Sequence, residues 1–196
     1  MLNRLLHRLR GFGREVRGIA AVEFALLAPL MFLLYFGMIE LCEAMMADRR
    51  TNHAVSTIGD LVAQSIQPMH TNNYADAFAA ANTILAPFPT APLQLRVTSV
   101  TAGPAPNLAP TVDWSEVPSG QTGLTPLKTG SVVTLPPNLL VNPGDNVVMA
   151  EGHYTYTSPI GFVVKGLLNF TPTYYLRPRT GSMVGDCNSN PQPTGC

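Results

Sequence analysis

RGIAAVEFALLAPLMFLLYFGMIE, residues Arg17 to Glu40, decides the architecture. From Phe24 to Ile39 it holds sixteen uncharged, mostly apolar residues, and from Ile19 to Ile39 twenty-one with Glu23 as the only charge. A helix rises about 1.5 Å per residue, so about 20 apolar residues cross the hydrocarbon layer of a bilayer. The run is long enough to span. A carboxylate inside lipid disfavours insertion by several kcal/mol, which makes Glu23 a functional candidate that needs a partner.

Lys plus Arg and Asp plus Glu stand at 12 each, so the overall balance gives no reason to expect nucleic acid as a partner. The charges are not evenly spread. Residues 1–18 carry Arg4, Arg8, Arg10, Arg14 and Arg17 against Glu15 alone, a net of +4, and the remainder is at −4. Basic residues flanking a first span stay in the cytoplasm, which predicts the N-terminus inside and the downstream chain exported. Gly and Pro number 16 and 18, modestly above average usage, as suits a loop-rich exported domain.

A cleaved secretory signal needs a small-x-small site soon after its apolar centre, and GMIELCEAMMADRR offers none at the proper distance. The chain instead continues helically. Leu41, Met45, Val55, Ile58, Leu61, Val62 and Ile66 fall mostly three and four apart, with Asp48, Arg49, Arg50, Asn52, Asp60 and Gln64 as polar positions, and Pro68 is a stop. One helix over residues 19–67 is expected, about 70 Å long, half in lipid and half outside. Pro29 and Gly37 are expected to weaken or kink its spanning half.

Beyond Pro68 the sequence predicts a short Ala-rich helix over Tyr74–Leu85, then a change of period. Leu93, Leu95 and Val97 alternate with polar residues as a half-buried strand does, and TVDWSEV is a second strand. NPGDNVVMAEGHYTYTS reads as a turn over Asn142–Asp145 followed by a strand over Asn146–Thr157. LLNFTPTYYLRPR would pair with it as a last hairpin, Pro172 marking an edge or an interruption. The fold class is therefore α+β: a long N-terminal transmembrane helix continuing outside the membrane, packed on a small antiparallel sheet through Val55, Ile58, Leu61 and Val62. Three segments follow: a basic cytoplasmic leader, 1–18; the transmembrane and periplasmic helix, 19–67; and a periplasmic α+β domain, 68–196, with a Cys-closed tail. In an oxidising compartment Cys187 and Cys196 can close that tail; the alternative is two free thiols in a loose terminus.

Gly18 followed by Ile19, Ala20, Ala21, Val22, Glu23 and Phe24, behind an Arg-rich leader and before an internal Ala28-Pro29, resembles the N-terminus of type IV pilin-like proteins. It is most similar to the TadE/TadG-like minor pseudopilins of the tight-adherence (Tad) pilus. The Pro-Gly-Asp turn before a strand ending in aromatic-x-Tyr is similar to the closing half of such domains. The resemblance implies cutting after Gly18 by a prepilin peptidase on the cytoplasmic side, freeing an ammonium at Ile19. It also implies partners: inner-membrane lipid, the prepilin peptidase, other pilins or pseudopilins and the pilus assembly platform. Glu23 lies one helical turn from Ile19. In such proteins the Glu is thought to neutralise the terminal amine of a neighbouring subunit and set register; an intrahelical pair and a side chain snorkelling from a plain anchor are the simpler readings.

Catalysis is not expected. His53, His70 and His153 show no metal-ligand spacing, and the sequence lacks both a G-x-S-x-G elbow and a phosphate-cradling Gly loop. No cofactor is implied. The rival to a pseudopilin is a membrane-anchored periplasmic binding or adhesion module, neither processed nor polymerised.

Overall fold

The computed structural model describes residues 17–66, 68–161, 163–179, 181, 183–188 and 196. Of the leader assigned to residues 1–18, all but Arg17 and Gly18 lies outside the described residues.

Helix α1 runs Arg17–Ala63, 47 residues, and passes through both Pro29 and Gly37. Pro29 lacks the N–H that would reach the Ala25 carbonyl, yet the surrounding Leu, Ala and Met are good helix formers and carry the ladder across the gap. The helix stops at Ala63, short of the expected Gln67. Ser65 N donates to the Val62 carbonyl at 3.1 Å, a tightened last turn, and the chain unwinds ahead of Pro68, which disfavours the α conformation in the residue before it. The Ala63 carbonyl, orphaned by the end of the helix, accepts from Arg179 N at 2.8 Å.

The chain forms two compact units. One contains α1 as far as Glu43 together with Ser158–Gly166; the other contains Ala44–Thr157 and Leu167–Cys196.

In the second unit, helix α2 spans Thr71–Leu85, starting three residues before the expected Tyr74. His70 N donates to Asn73 Oδ1 at 3.0 Å, satisfying a donor at the helix start. Five strands follow: β1 Leu93–Ala102, β2 Pro110–Glu116, β3 Asn146–Thr157, β4 Leu167–Phe170 and β5 Thr173–Leu176. All pairings are antiparallel, in the order β2-β1-β3-β4, with β5 also on β3. The β2–β1 register shifts between Ser99 and Val100. Before β3, Asp145 N donates to the Asn142 carbonyl at 3.1 Å, and Gly144 takes the positive φ of 80° that the turn requires.

LLNFTPTYYL is one interrupted edge. Its first half pairs with Tyr154–Thr157 and its second with Val148–Glu151. Pro172 stands in the gap, donating nothing, but its carbonyl accepts from Gly152 N at 2.9 Å and keeps the two halves in line.

One sheet face, carrying Leu93, Leu95, Val97, Val148, Ala150 and Tyr154, joins a single core with both helices. Strand alternation supplies that face, with Val97 opposite Ala150 and Leu93 opposite Tyr154. From α1 the core takes Ala44, Ala47, Ala54, Val55, Ile58 and Val62; from α2 it takes Tyr74, Ala77, Phe78, Ala81 and Leu85. A β-carbon on Gly59 would stand 2.5 Å from Leu176 Cδ1 and 3.0 Å from Ala150 Cβ, so helix and sheet meet where the helix is bare.

The buried stripe corrects the sequence reading in two places. Leu61, expected in the core, is 43% exposed. At about 100° per residue it lies about 120° round the helix from Val55, and it flanks an open groove with Gln64, Met69 and Asn73. Leu41 and Met45 are also exposed, because the stripe through Thr51 and Val55 runs back along Ala47 and Ala44.

Candidate processing and assembly site

The residues singled out by the pilin-like motif all lie in the first part of α1. Gly18 is exposed, and nothing stands within 4 Å of where a β-carbon would be. Ile19, Glu23 and Phe24 are exposed as well. The helical backbone puts Ile19 and Glu23 on one face, one turn apart. Among the described residues no hydrogen bond or ion pair engages the Glu23 carboxylate. Ala20, Ala21 and Ala25 are exposed around it, presenting a helix surface low enough for another helix to approach closely.

The helix Gly18–Ala63 contains an 18-residue window of mean hydropathy 2.2, none of it buried. A soluble protein's core helix of that apolarity would be covered by its own chain. This one leaves Leu26, Leu30, Phe32, Leu34 and Tyr35 exposed, a surface compatible with a single-pass membrane anchor.

The other end of the apolar run holds a second carboxylate. Glu40 is 0% exposed, and its Oε2 accepts from Val163 N at 2.8 Å and Val164 N at 2.6 Å. A buried charge is tolerable only with such donors, and backbone amides bound to a carboxylate are among the stronger ones. Sequence reasoning passed over Glu40. The local signal was an acidic residue between Ile39 and Leu41 at the very end of the run, but its donors come from more than 120 residues away.

In the second unit the aromatics serve the core. Trp114, Tyr154 and Tyr156 are buried, and Trp114 Nε1 donates to the Val184 carbonyl at 2.8 Å. Beside Trp114, Tyr74 faces Asp186, and Asn188 links Asp186 to Glu116: its N–H donates to Asp186 Oδ1 at 3.1 Å and its Nδ2 to Glu116 Oε1 at 3.3 Å. Burial pushes the Asp186 and Glu116 carboxyls above the usual range, and the Tyr74 phenol is raised by burial and by the two carboxylates. Cys187 and Cys196 are joined by a disulfide, with their Cα atoms 5.5 Å apart. Cys187 N donates to the Met69 carbonyl at 3.0 Å, which ties the tail to the residues preceding α2. Cys42 is a free, exposed thiol. Among the described residues no group of three or more His, Cys, Asp or Glu is placed to hold a metal ion.

An exposed apolar helix leading into a small α+β domain is compatible with a single-pass membrane anchor. Residues 18–59, all within α1, match the family described as TadE-like protein, and in that segment the chain is TadE-like. The match supports involvement in the Tad pilus system. No curated protein and no solved structure matches the chain.

Proposed function

We propose that this chain is a minor pseudopilin that helps to assemble or initiate a Tad-type adhesive pilus. Its role is structural; it is a substrate of an enzyme and does no catalysis of its own. The span Ile19–Ile39 lies in the bacterial inner membrane, with the leader in the cytoplasm and the α+β domain in the periplasm. A prepilin peptidase cuts after Gly18, and the mature chain begins with the ammonium of Ile19. Gly is a poor helix former, which eases the unwinding that the peptidase needs at this bond.

The observation that carries this reading is Glu23: a carboxylate with no ion pair among the described residues, four residues after Ile19 on an uncovered apolar helix. In low dielectric an ammonium and a carboxylate attract far more strongly than in water. The Ile19 ammonium of a neighbouring subunit fits as the partner, because alanines at 20, 21 and 25 let two such helices come close.

Intact-mass measurement of the membrane-extracted protein from cells that carry the peptidase is the test. The expected product starts at Ile19, and a Gly18→Arg variant keeps its leader. A wild-type chain that retains residues 1–18 in those cells would make it an unprocessed membrane-anchored binding module instead.

A further inference from the structure

Ser158–Gly166, which connects β3 to β4, belongs to the same compact unit as the first part of α1. Two contacts seat it there. Glu40 accepts from the amides of Val163 and Val164, and Gly37, one turn earlier, has no side chain to keep the loop away: a β-carbon on it would stand 3.1 Å from Val163 Cγ2. Glu40 and Gly37 are the last turn of the apolar run.

Held at that level, the loop leaves two of its apolar side chains about half uncovered. Ile160 is 48% exposed and Val163 49%. The sequence SPIGFVVKG contains no acidic residue, and its one charge is the exposed Lys165. The neighbouring helix surface, Leu33, Leu34, Phe36 and Met38, is exposed and apolar too. The loop therefore continues the uncovered surface of the helix outward at its final turn. Apolar side chains topped by a cation are the chemistry of an element lying at the boundary between acyl chains and headgroups.

We propose that the β3–β4 connection contacts lipid through Ile160, Val163 and Lys165, at the headgroup boundary of the outer leaflet, and is held against α1 by Glu40. This rests on the reading of α1 as a membrane span. Glu40 is then the clamp: it binds two amides of the loop against the helix, with Val163 resting partly on Gly37, and leaves Ile160 and the uncovered half of Val163 to the lipid. The occupant is the bilayer itself, since the apolar surface of the loop is continuous with that of the span.

The test uses the full chain carrying Cys42→Ser, so that an environment-sensitive NBD fluorophore can be attached at a single introduced thiol. Ile160→Cys, Val163→Cys and Phe32→Cys are labelled without reductant and reconstituted in vesicles of phosphatidylethanolamine and phosphatidylglycerol. For Ile160 and Val163, a blue-shifted emission is expected, quenched by nitroxide lipid labelled near the headgroup and resistant to aqueous iodide. Iodide quenching at both, with Phe32 protected, overturns the lipid contact and leaves the span intact. Iodide quenching at Phe32 overturns the span itself. A Glu40→Ala background is expected to expose the Val163 label to iodide while Phe32 stays protected; continued lipid quenching at Val163 removes Glu40 as the clamp.

Discussion

Val55 on α1 fills the space that a side chain of Gly152 on β3 would need: a β-carbon there would lie 2.3 Å from Val55 Cγ2. The contact is a knob in a hole between helix and sheet, and with Gly59 against Ala150 and Leu176 it sets how near the two layers come. Overpacking a close-packed core costs about 1–3 kcal/mol. Gly152→Ala is therefore expected to lower the thermal midpoint of the folded domain, followed by the near-ultraviolet signal of the buried Trp114 in detergent solution. Adding Val55→Ala should return part of the loss, because the smaller side chain reopens the space; an additive further loss would show that the two positions do not share it.

Glu23→Gln separates cutting from assembly. Leader removal depends on the Gly18 bond and is expected to continue, so the extracted chain still begins at Ile19. Association of the processed chains in the membrane is expected to fall about tenfold, the equivalent of about 1.4 kcal/mol of lost charge pairing. Crosslinking of processed subunits before and after the substitution reads it. Unchanged crosslinking would mean that the carboxylate has no intermolecular partner.

Asp186 gives the domain a pH dependence of a definite sign. Burial raises its folded pKa above the ordinary 3.8, with the Asn188 amide and the Tyr74 hydroxyl opposing the rise. Between 3.8 and the folded value the native state binds more protons than the unfolded chain, so the contribution of this group to stability increases as pH falls and is lost as pH rises through that window. Asp186→Asn removes this group's titration while keeping an acceptor for the Asn188 amide. The variant is expected to gain stability over the wild type at neutral pH, and the gain should shrink toward pH 4, as followed by thermal melts across that range. The comparison isolates Asp186 from Asp145, whose pKa is lowered chiefly by the amides of Asn142 and Val141 and whose contribution runs the other way.

Opening the Cys187–Cys196 disulfide is expected to loosen the tail without unfolding the sheet. The bridge closes a separation of nine residues, for which chain entropy gives about 2–3 kcal/mol. Cys187 is buried and its N–H is bound to Met69, so the effect should appear first as faster amide exchange at Met69 and Cys187. A Cys187→Ser/Cys196→Ser variant with unaltered exchange there would show that the local hydrogen bonds suffice.

What could be read from the chain beforehand was what neighbouring residues decide together. The apolar run, the Gly18 to Phe24 motif, the turn before β3 and the alternation of Leu93, Leu95 and Val97 are each contained in a few consecutive positions, and the TadE-like match falls on the segment that the motif opens. The buried stripe of α1 was harder, because Ala44, Ala47 and Ala54 carry little hydropathy contrast against Leu41 and Met45. Their burial follows from the close approach of the sheet, which depends on glycines that no helical period reveals. Glu40 was not legible for a related reason: its amide donors are brought to it only by the complete fold.

The interrupted outer strand also bears on how copies of this molecule can associate. An unpaired sheet margin is a template for another chain's backbone, yet here it is broken into two four-residue pieces around a proline that has no proton to give. Ribbon-like growth by strand addition is therefore blunted along that margin of the sheet.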